Sequence, residues 1–273
     1  MKFTVLGSGS TGNSVLIATE KTKVLVDAGL SAKQILLRLA AVGVDSSELD
    51  GILITHEHSD HAGGLRVLLG SVKCPVFISG KTQNAYLRDR KTKNNEAQKR
   101  ADAVKDRTVE IESSRDFRIG DMDFEPFSVP HDAADNFGFV AGNRGVRIAT
   151  LMDFGCFTTL IKEKLTNCDG IVVESNHSRD MLKTCSVYSW ELKQRIASRT
   201  GHLSNEDLSE WLTNDFDGSA RNIVLAHLSQ RANEPNLAKL MAQSALDMRD
   251  PLFKAETKLT ISYDRTPTDW IEY

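Results

Sequence analysis

The segment ITHEHSDHAGG, residues 54–64, constrains this chain more than any other. It begins in the apolar, β-branched run GILIT (51–55) and leads into a helical pattern, so its polar cluster falls on a strand-to-helix loop. Loops at the C-terminal ends of strands are where α/β proteins place their ligands. His56, His58, Asp60 and His61 put four metal-competent side chains within six residues. Three imidazoles and a carboxylate have little reason to converge on one loop for surface purposes alone. Nitrogen and oxygen donors of this kind suit zinc or manganese and are compatible with iron.

The rest of the chain reads as alternating strands and helices. Strand candidates are GILIT, PVFIS (75–79), MDFEPFSV (122–129), FGFVAG (137–142), RGVRIATLMD (144–153), GIVVES (170–175), RNIVLAH (221–227) and KLTISYD (258–264). Helix candidates lie near 31–42, 62–70, 157–165, 188–199, 204–213 and 236–246, with Ser31 and Ser204-Asn205 as start signals. No linker composition or repeat interrupts this alternation, so residues 1–273 are expected to form one α/β domain. A hydrophobic content of 40% is ample for a core, and no stretch approaches the roughly 20 apolar residues of a membrane span. The N-terminus lacks a signal-peptide pattern, and Cys74, Cys156, Cys168 and Cys185 form no CxxC pair. These features point to reduced thiols in a cytoplasmic protein. Cys156 is expected to pack in the core. The formal charge of -3 argues against a surface coated in positive charge.

The stretch VLGSGSTGNSVL (5–16) matches G-x-G-x-x-G through Gly7, Gly9 and Gly12, with Asp27 following 20 residues after Gly7. A dinucleotide site needs a helix directly after the glycines, because the pyrophosphate rests on its N-terminus. Here SVLIAT, the polar EKTK and VLVDAG read as strand, hairpin turn and strand. The glycines therefore read as a tight turn.

Three further residues stand at strand ends: His131 after Val129-Pro130, Asp153 in ATLMDFG, and His227 in VLAHLSQ. The H-x-H-x-D-H spacing resembles the signature of the metallo-β-lactamase fold superfamily, and the likeness runs over nearly the whole chain. The resemblance implies a four-layer αββα sandwich carrying two divalent metal ions, zinc or manganese. It implies that His56, His58 and His131 bind the first ion. It assigns Asp60, His61 and His227 to the second, with Asp153 as the bridging acid. A bridging carboxylate, where the β-lactamases commonly have a Cys, is similar to glyoxalase II and the phosphodiesterases.

His177, in ESNHSRDML, and His202, in GHLSNEDL, complete the seven histidines. The second segment resembles the Gly-His-Ser/Thr stretch of the transfer-RNA 3′-processing ribonucleases, whose histidine acts near the leaving oxygen. With LGSGSTGNS, these segments look like the YycJ/WalJ branch of the superfamily, implicated as bacterial DNA exonucleases. Ser178 departs from that branch, in which an acid is expected after the Asn-His pair. The β-CASP cap and long exosite arm of related ribonucleases are missing. The likeness implies attack on phosphorus by a metal-bridging hydroxide, which Asp60 and Asp153 orient. It implies that His202 donates to the leaving oxygen. His177 either holds a phosphate, supports His202, or is structural.

One segment, RDRKTKNNEAQKR (88–100), carries six basic residues against two acids. It reads as a solvated surface or as a phosphate-contacting arm in which Arg88, Arg90, Lys91 and Lys93 face nucleic acid. The expected function is thus a phosphodiesterase or exonuclease acting on DNA, or on RNA. The alternatives are a thioester or lactone hydrolase of the glyoxalase II type and a noncatalytic nucleic-acid-binding module. His177, His202 and the basic run favour phosphodiesters, because a thioester enzyme has little use for them.

Overall fold

The computed structural model describes residues 1–89, 102–249 and 256–273. Along the chain run β1 (Lys2–Gly7), β2 (Ser14–Ala18), β3 (Lys23–Val26), β4 (Gly51–Leu53), β5 (Val76–Ile78) and β6 (Thr108–Glu110). They are followed by β7 (Phe117–Ile119), β8 (Met122–Ser128), β9 (Phe137–Asn143) and β10 (Val146–Leu151). The last are β11 (Gly170–Glu174), β12 (Asn222–Ala226), β13 (Lys258–Ile261) and β14 (Ile271–Glu272). They form two seven-stranded sheets, ordered β14-β1-β2-β3-β4-β5-β6 and β13-β12-β11-β10-β9-β8-β7. Both sheets are mixed. The run β3 to β6 is parallel, as is β10 to β13.

The chain divides into two compact units. The first comprises Met1–Pro126, Ala133–Phe137 and Asp264–Tyr273, and the second Phe127–Asp132 and Gly138–Tyr263. Each has its own apolar core. In the first, Leu16, Leu25 and Ile52 of the sheet pack with Ile35 and Leu39 of the helix Ala32–Ala41. In the second, Ile171, Val173, Ile223 and Leu225 pack with Leu208, Trp211 and Leu212 of the helix Asn205–Asn214. Ser31 and Ser204 cap these two helices as the sequence predicts, each accepting from a backbone N–H of the first turn. Such a cap contributes about 1 kcal/mol.

Parallel pairing explains why function collects where it does. Neighbouring parallel strands end at one edge, so residues just past those ends become neighbours. In the second unit Leu151 of β10 pairs with Val173 of β11, and Glu174 of β11 pairs with Ala226 of β12. Asp153, Glu174 and His227 therefore arrive at the same edge.

The structure also departs from the sequence reading. The helix expected near 62–70 is two short segments, Ser59–Ala62 and Leu65–Leu68. The break at Gly63-Gly64 lets the chain lie against residues 28–30. Gly64 donates its N–H to Ala28 at 2.8 Å, and a side chain at Gly64 would collide with the Leu30 carbonyl. The strands β6, β7 and β14 and the helices Gly80–Asp89 and Arg179–Thr184 were not anticipated. Among the described residues no helix is long and apolar enough to cross a membrane.

Candidate metal centre

The first unit holds its ligand types on the loop after β4. His56 and His61 are fully buried, while Asp60 keeps about a fifth of its side chain exposed at 21%. The rings cluster: His56 lies 4.6 Å from His58 and 4.2 Å from His61, centroid to centroid. Behind them sits Asp27, the residue after β3, with no exposed surface. Its carboxylate accepts from the Thr55 backbone N–H at 2.9 Å and from Thr55 Oγ1 at 3.0 Å. His61 Nδ1 lies 2.7 Å from the same carboxylate. Such a partner accepts a hydrogen bond from Nδ1–H and so fixes the tautomer in which Nε2 is the basic atom. Thr55 Oγ1 stands 3.0 Å from His56 Nδ1 and orients that ring in the same way.

The glycine turn braces this loop. Gly9 and Gly12 adopt φ of 146° and 149°, and a Cβ at Gly12 would stand 2.6 Å from the backbone nitrogen of Leu30. The turn delivers Asn13, whose backbone N–H donates to the Asp60 carbonyl at 2.7 Å. Its side-chain nitrogen lies 3.0 Å from His61 Nε2. The pattern that mimics a nucleotide fingerprint is thus a support for the histidine loop.

The second unit builds its half of the ligand inventory at the ends of β8, β10, β11 and β12. His131 follows β8 and donates from Nδ1 to the Gly201 carbonyl at 3.2 Å, so Nε2 again keeps its lone pair. That Nε2 is 3.6 Å from Asp153 Oδ2 and 3.3 Å from Asp132 Oδ1. Burial lowers the His131 pKa against the pull of Asp153, which favours the neutral, ligating ring. Asp153 and His227 are buried and both adopt left-handed backbone, with φ of 56° and 54°. Asp27 shares this conformation at 65°. Non-glycine residues take it rarely, and such strain clusters at functional sites.

Glu174, the last residue of β11, organises the group. It is fully buried, and its Oε1 lies 2.8 Å from His202 Nδ1 and 2.8 Å from His227 Nδ1. Its Oε2 accepts backbone N–H groups from Phe154 at 3.0 Å and Leu203 at 3.2 Å. Burial alone would raise its pKa, yet the two imidazoles prevail and hold it at about 2. His202 shows the converse. Burial opposes its charge, but Glu174 and Asp153 push its pKa up to about 10.

Asp153 Oδ1 also approaches His227 Nδ1, at 2.6 Å. Two buried carboxylates thus face a single N–H, a surplus of negative charge that a cation would offset. Asp153, Glu174, His202 and His227 each offer a ligand atom within 4.8 Å of the others, a group able to hold a metal ion.

His177 is buried and lies off this group. Its Nδ1 has no hydrogen-bond partner, and burial pushes its pKa down to about 4. Its backbone pairs with Ser204, and its carbonyl accepts from Asn205 at 2.8 Å, which ties it to the loop carrying His202.

Cys156 corrects an expectation: it is partly rather than fully buried, its Sγ lying 3.6 Å from the Arg199 carbonyl in a stretch where the neighbouring Gly155 packs close against the backbone of Ser198 and Arg199. Arg88 is exposed near the end of the helix Gly80–Asp89. Arg90, Lys91 and Lys93 lie outside the described residues. The sequence reading missed Asn13, Thr55 and Glu174. The available signal for Glu174 was an acid closing the otherwise apolar GIVVE strand, whose residues are all buried.

Two mixed sheets flanked by helices, with imidazoles and carboxylates gathered at strand ends, define a metal-binding α/β protein of the metallo-β-lactamase fold. A family model described as "Beta-lactamase superfamily domain" matches residues 22–228, and the chain belongs to that superfamily. It is 35% identical to exodeoxyribonuclease WalJ of Streptococcus pneumoniae, over 97% of this chain and 94% of the relative. It is 34% identical to exodeoxyribonuclease YycJ of Bacillus anthracis, over 90% and 89%. Among solved structures, the metallo-β-lactamase fold protein YhfI from Bacillus subtilis superposes with a TM-score of 0.70, covering 98% of both chains at 15% identity.

Proposed function

We propose that this protein is a metal-dependent exodeoxyribonuclease of the cytoplasm, acting on DNA. The observation that carries the reading is full-length kinship with two exodeoxyribonucleases. The Glu174-bound His202 supports it, because that histidine serves phosphodiester cleavage better than thioester hydrolysis. We propose two divalent ions, zinc or manganese, with His56, His58 and His131 on one, Asp60, His61 and His227 on the other, and Asp153 on both. Family membership supports this assignment, as do the Nδ1 contacts of His61, His131 and His227, which place the ring proton on Nδ1 and make Nε2 the basic atom of each ring. When bound, such ions lower the pKa of water and neutralise charge on a phosphate.

The chain's own groups do the rest. His202 anchors Nδ1 on Glu174 and keeps Nε2 for the substrate, where the protonated ring gives its proton to the departing oxygen. Glu174 holds that ring in charge and orientation. Asp60 and Asp153 would orient the attacking water, and both would also be among the residues that hold the ions. His177 supports the His202 loop through its backbone and offers its unpartnered Nδ1 to the substrate. Arg88, Arg90, Lys91 and Lys93 contact phosphates along the strand.

The test is to strip the protein of metal, reload it with zinc or manganese, and supply end-labelled single- and double-stranded DNA and RNA. Metal-restored, stepwise shortening of DNA is expected. Turnover of a thioester or lactone with DNA left intact would overturn the reading in favour of a small-molecule hydrolase.

A further inference from the structure

A cavity of about 490 Å³ lies beside His202, wholly within the second unit. Its volume falls in the range of small-ligand sites, roughly 300–1,000 Å³. The lining joins three kinds of chemistry. His177 and His202 belong to the machinery described above. Trp190, the first residue of the helix Trp190–Ile196, leaves 67% of its surface exposed. Lys193 and Arg199 add positive charge.

Each feature asks for the same occupant. An indole ring left in water at the mouth of a functional cleft is a stacking surface awaiting a flat partner. The charge is lopsided: Arg179, Lys183, Lys193 and Arg199 line the cavity with Asp207 as the one acid among them. Arg179 pairs with Asp207, which leaves the other three cations uncompensated within the lining. Lys193 Nζ is held by the Lys183 carbonyl at 2.8 Å, an interaction that fixes its position without neutralising it. His177, 2% exposed, supplies a buried ring whose Nδ1 lacks a partner. Flat, anionic and able to hydrogen-bond describes a nucleotide. An aromatic platform reaches a base face only where the strand is unpaired.

We propose that this cavity seats the terminal nucleotide of a single DNA strand, its base stacked on Trp190 and its phosphates held by Lys193 and Arg199. The proposal rests on the exodeoxyribonuclease reading and deepens it: the enzyme would take its substrate by an unpaired end and grip the base without reading its identity. Sequence tolerance follows, since every base offers a π-face.

The experiment uses the full-length metal-loaded protein and phosphorothioate-linked oligothymidylate, which resists cleavage, with affinity read by fluorescence anisotropy across a salt series. Trp190→Ala is expected to weaken single-strand binding about tenfold or more, with Trp190→Phe keeping most of the affinity. Lys193→Ala combined with Arg199→Ala is expected to flatten the slope of log affinity against log salt by about 1–1.5. Circular dichroism should match throughout, as all three side chains lie on the cavity lining rather than in the core. A Trp190→Ala protein that binds within about twofold of the unaltered one, or that loses blunt duplex as strongly as single strand, overturns the proposal and leaves the nuclease reading standing. An unaltered protein that neither binds nor shortens DNA overturns both.

Discussion

His202 Nδ1 lies 2.8 Å from Oε1 of Glu174, a carboxylate with no exposed surface. The acid that sets this imidazole is therefore itself set by the sheet, and its other oxygen is pinned by two backbone amides. Glutamine at this position keeps an acceptor for the amides and removes the charge. Glu174→Gln is expected to fold, and to lower turnover by about 10- to 100-fold, the usual cost of losing an orienting partner. Unchanged steady-state turnover would show that His202 needs no such anchor.

His202 itself is tested by leaving-group dependence. His202→Ala should keep metal content and fold while losing about 10²-fold or more in turnover on DNA. On a nitrophenyl phosphodiester the loss should shrink, because a good leaving group needs little proton help. Equal impairment on both substrates would assign His202 to positioning, and normal nuclease activity would remove it from the mechanism.

The proposed bridging role of Asp153 is open to elemental analysis. Asp153→Ala is expected to lose at least one ion per chain relative to the unaltered protein. Full occupancy in that variant would refute the assignment.

The basic run is tested through salt. Replacing Arg90, Lys91 and Lys93 with Ala should flatten the dependence of log affinity on log salt, by about 0.7–0.9 for each phosphate that is no longer neutralised. The same slope as the unaltered protein would return the segment to solvated surface.

Gly12 offers a test of the turn. Its φ of 149° and the 2.6 Å approach to Leu30 leave no place for a methyl group. Gly12→Ala is expected to cost about 1–3 kcal/mol of stability in thermal melts. Gly43→Ala, where φ is 77° but nothing stands within 4 Å, should cost less. Equal melting temperatures for the two would show that the close approach relaxes freely.

Part of the candidate site is legible in the sequence once the family resemblance is added. The histidine loop, His131, Asp153 and His227 were identified from strand-end placement and family order, and the glycine turn from the absence of a following helix. Ser31 and Ser204 were recognisable because a hydroxyl at a helix start acts locally. What local sequence patterns do not carry depends on the sheet. Glu174 becomes central because parallel register brings it level with Ala226, one residue before His227. Asn13 and Thr55 act through partners 47 and 28 residues away, which no local pattern encodes. The short strands β6, β7 and β14 span two or three residues each, too few for a periodic signal. The partial exposure of Cys156 is likewise set beside a neighbour 43 residues away, the Arg199 carbonyl.

The left-handed turn of the chain at Asp153 carries an evolutionary consequence. Asparagine tolerates that conformation as well as aspartate does, while most other residues resist it. One base change converts an aspartate codon into an asparagine codon. The exchange removes the negative charge and preserves the bend, so selection acting on foldedness alone would not oppose it. A descendant with asparagine there would retain its sheets and its histidines. At this position the charge can therefore be lost in a single step while the fold that presents it is kept.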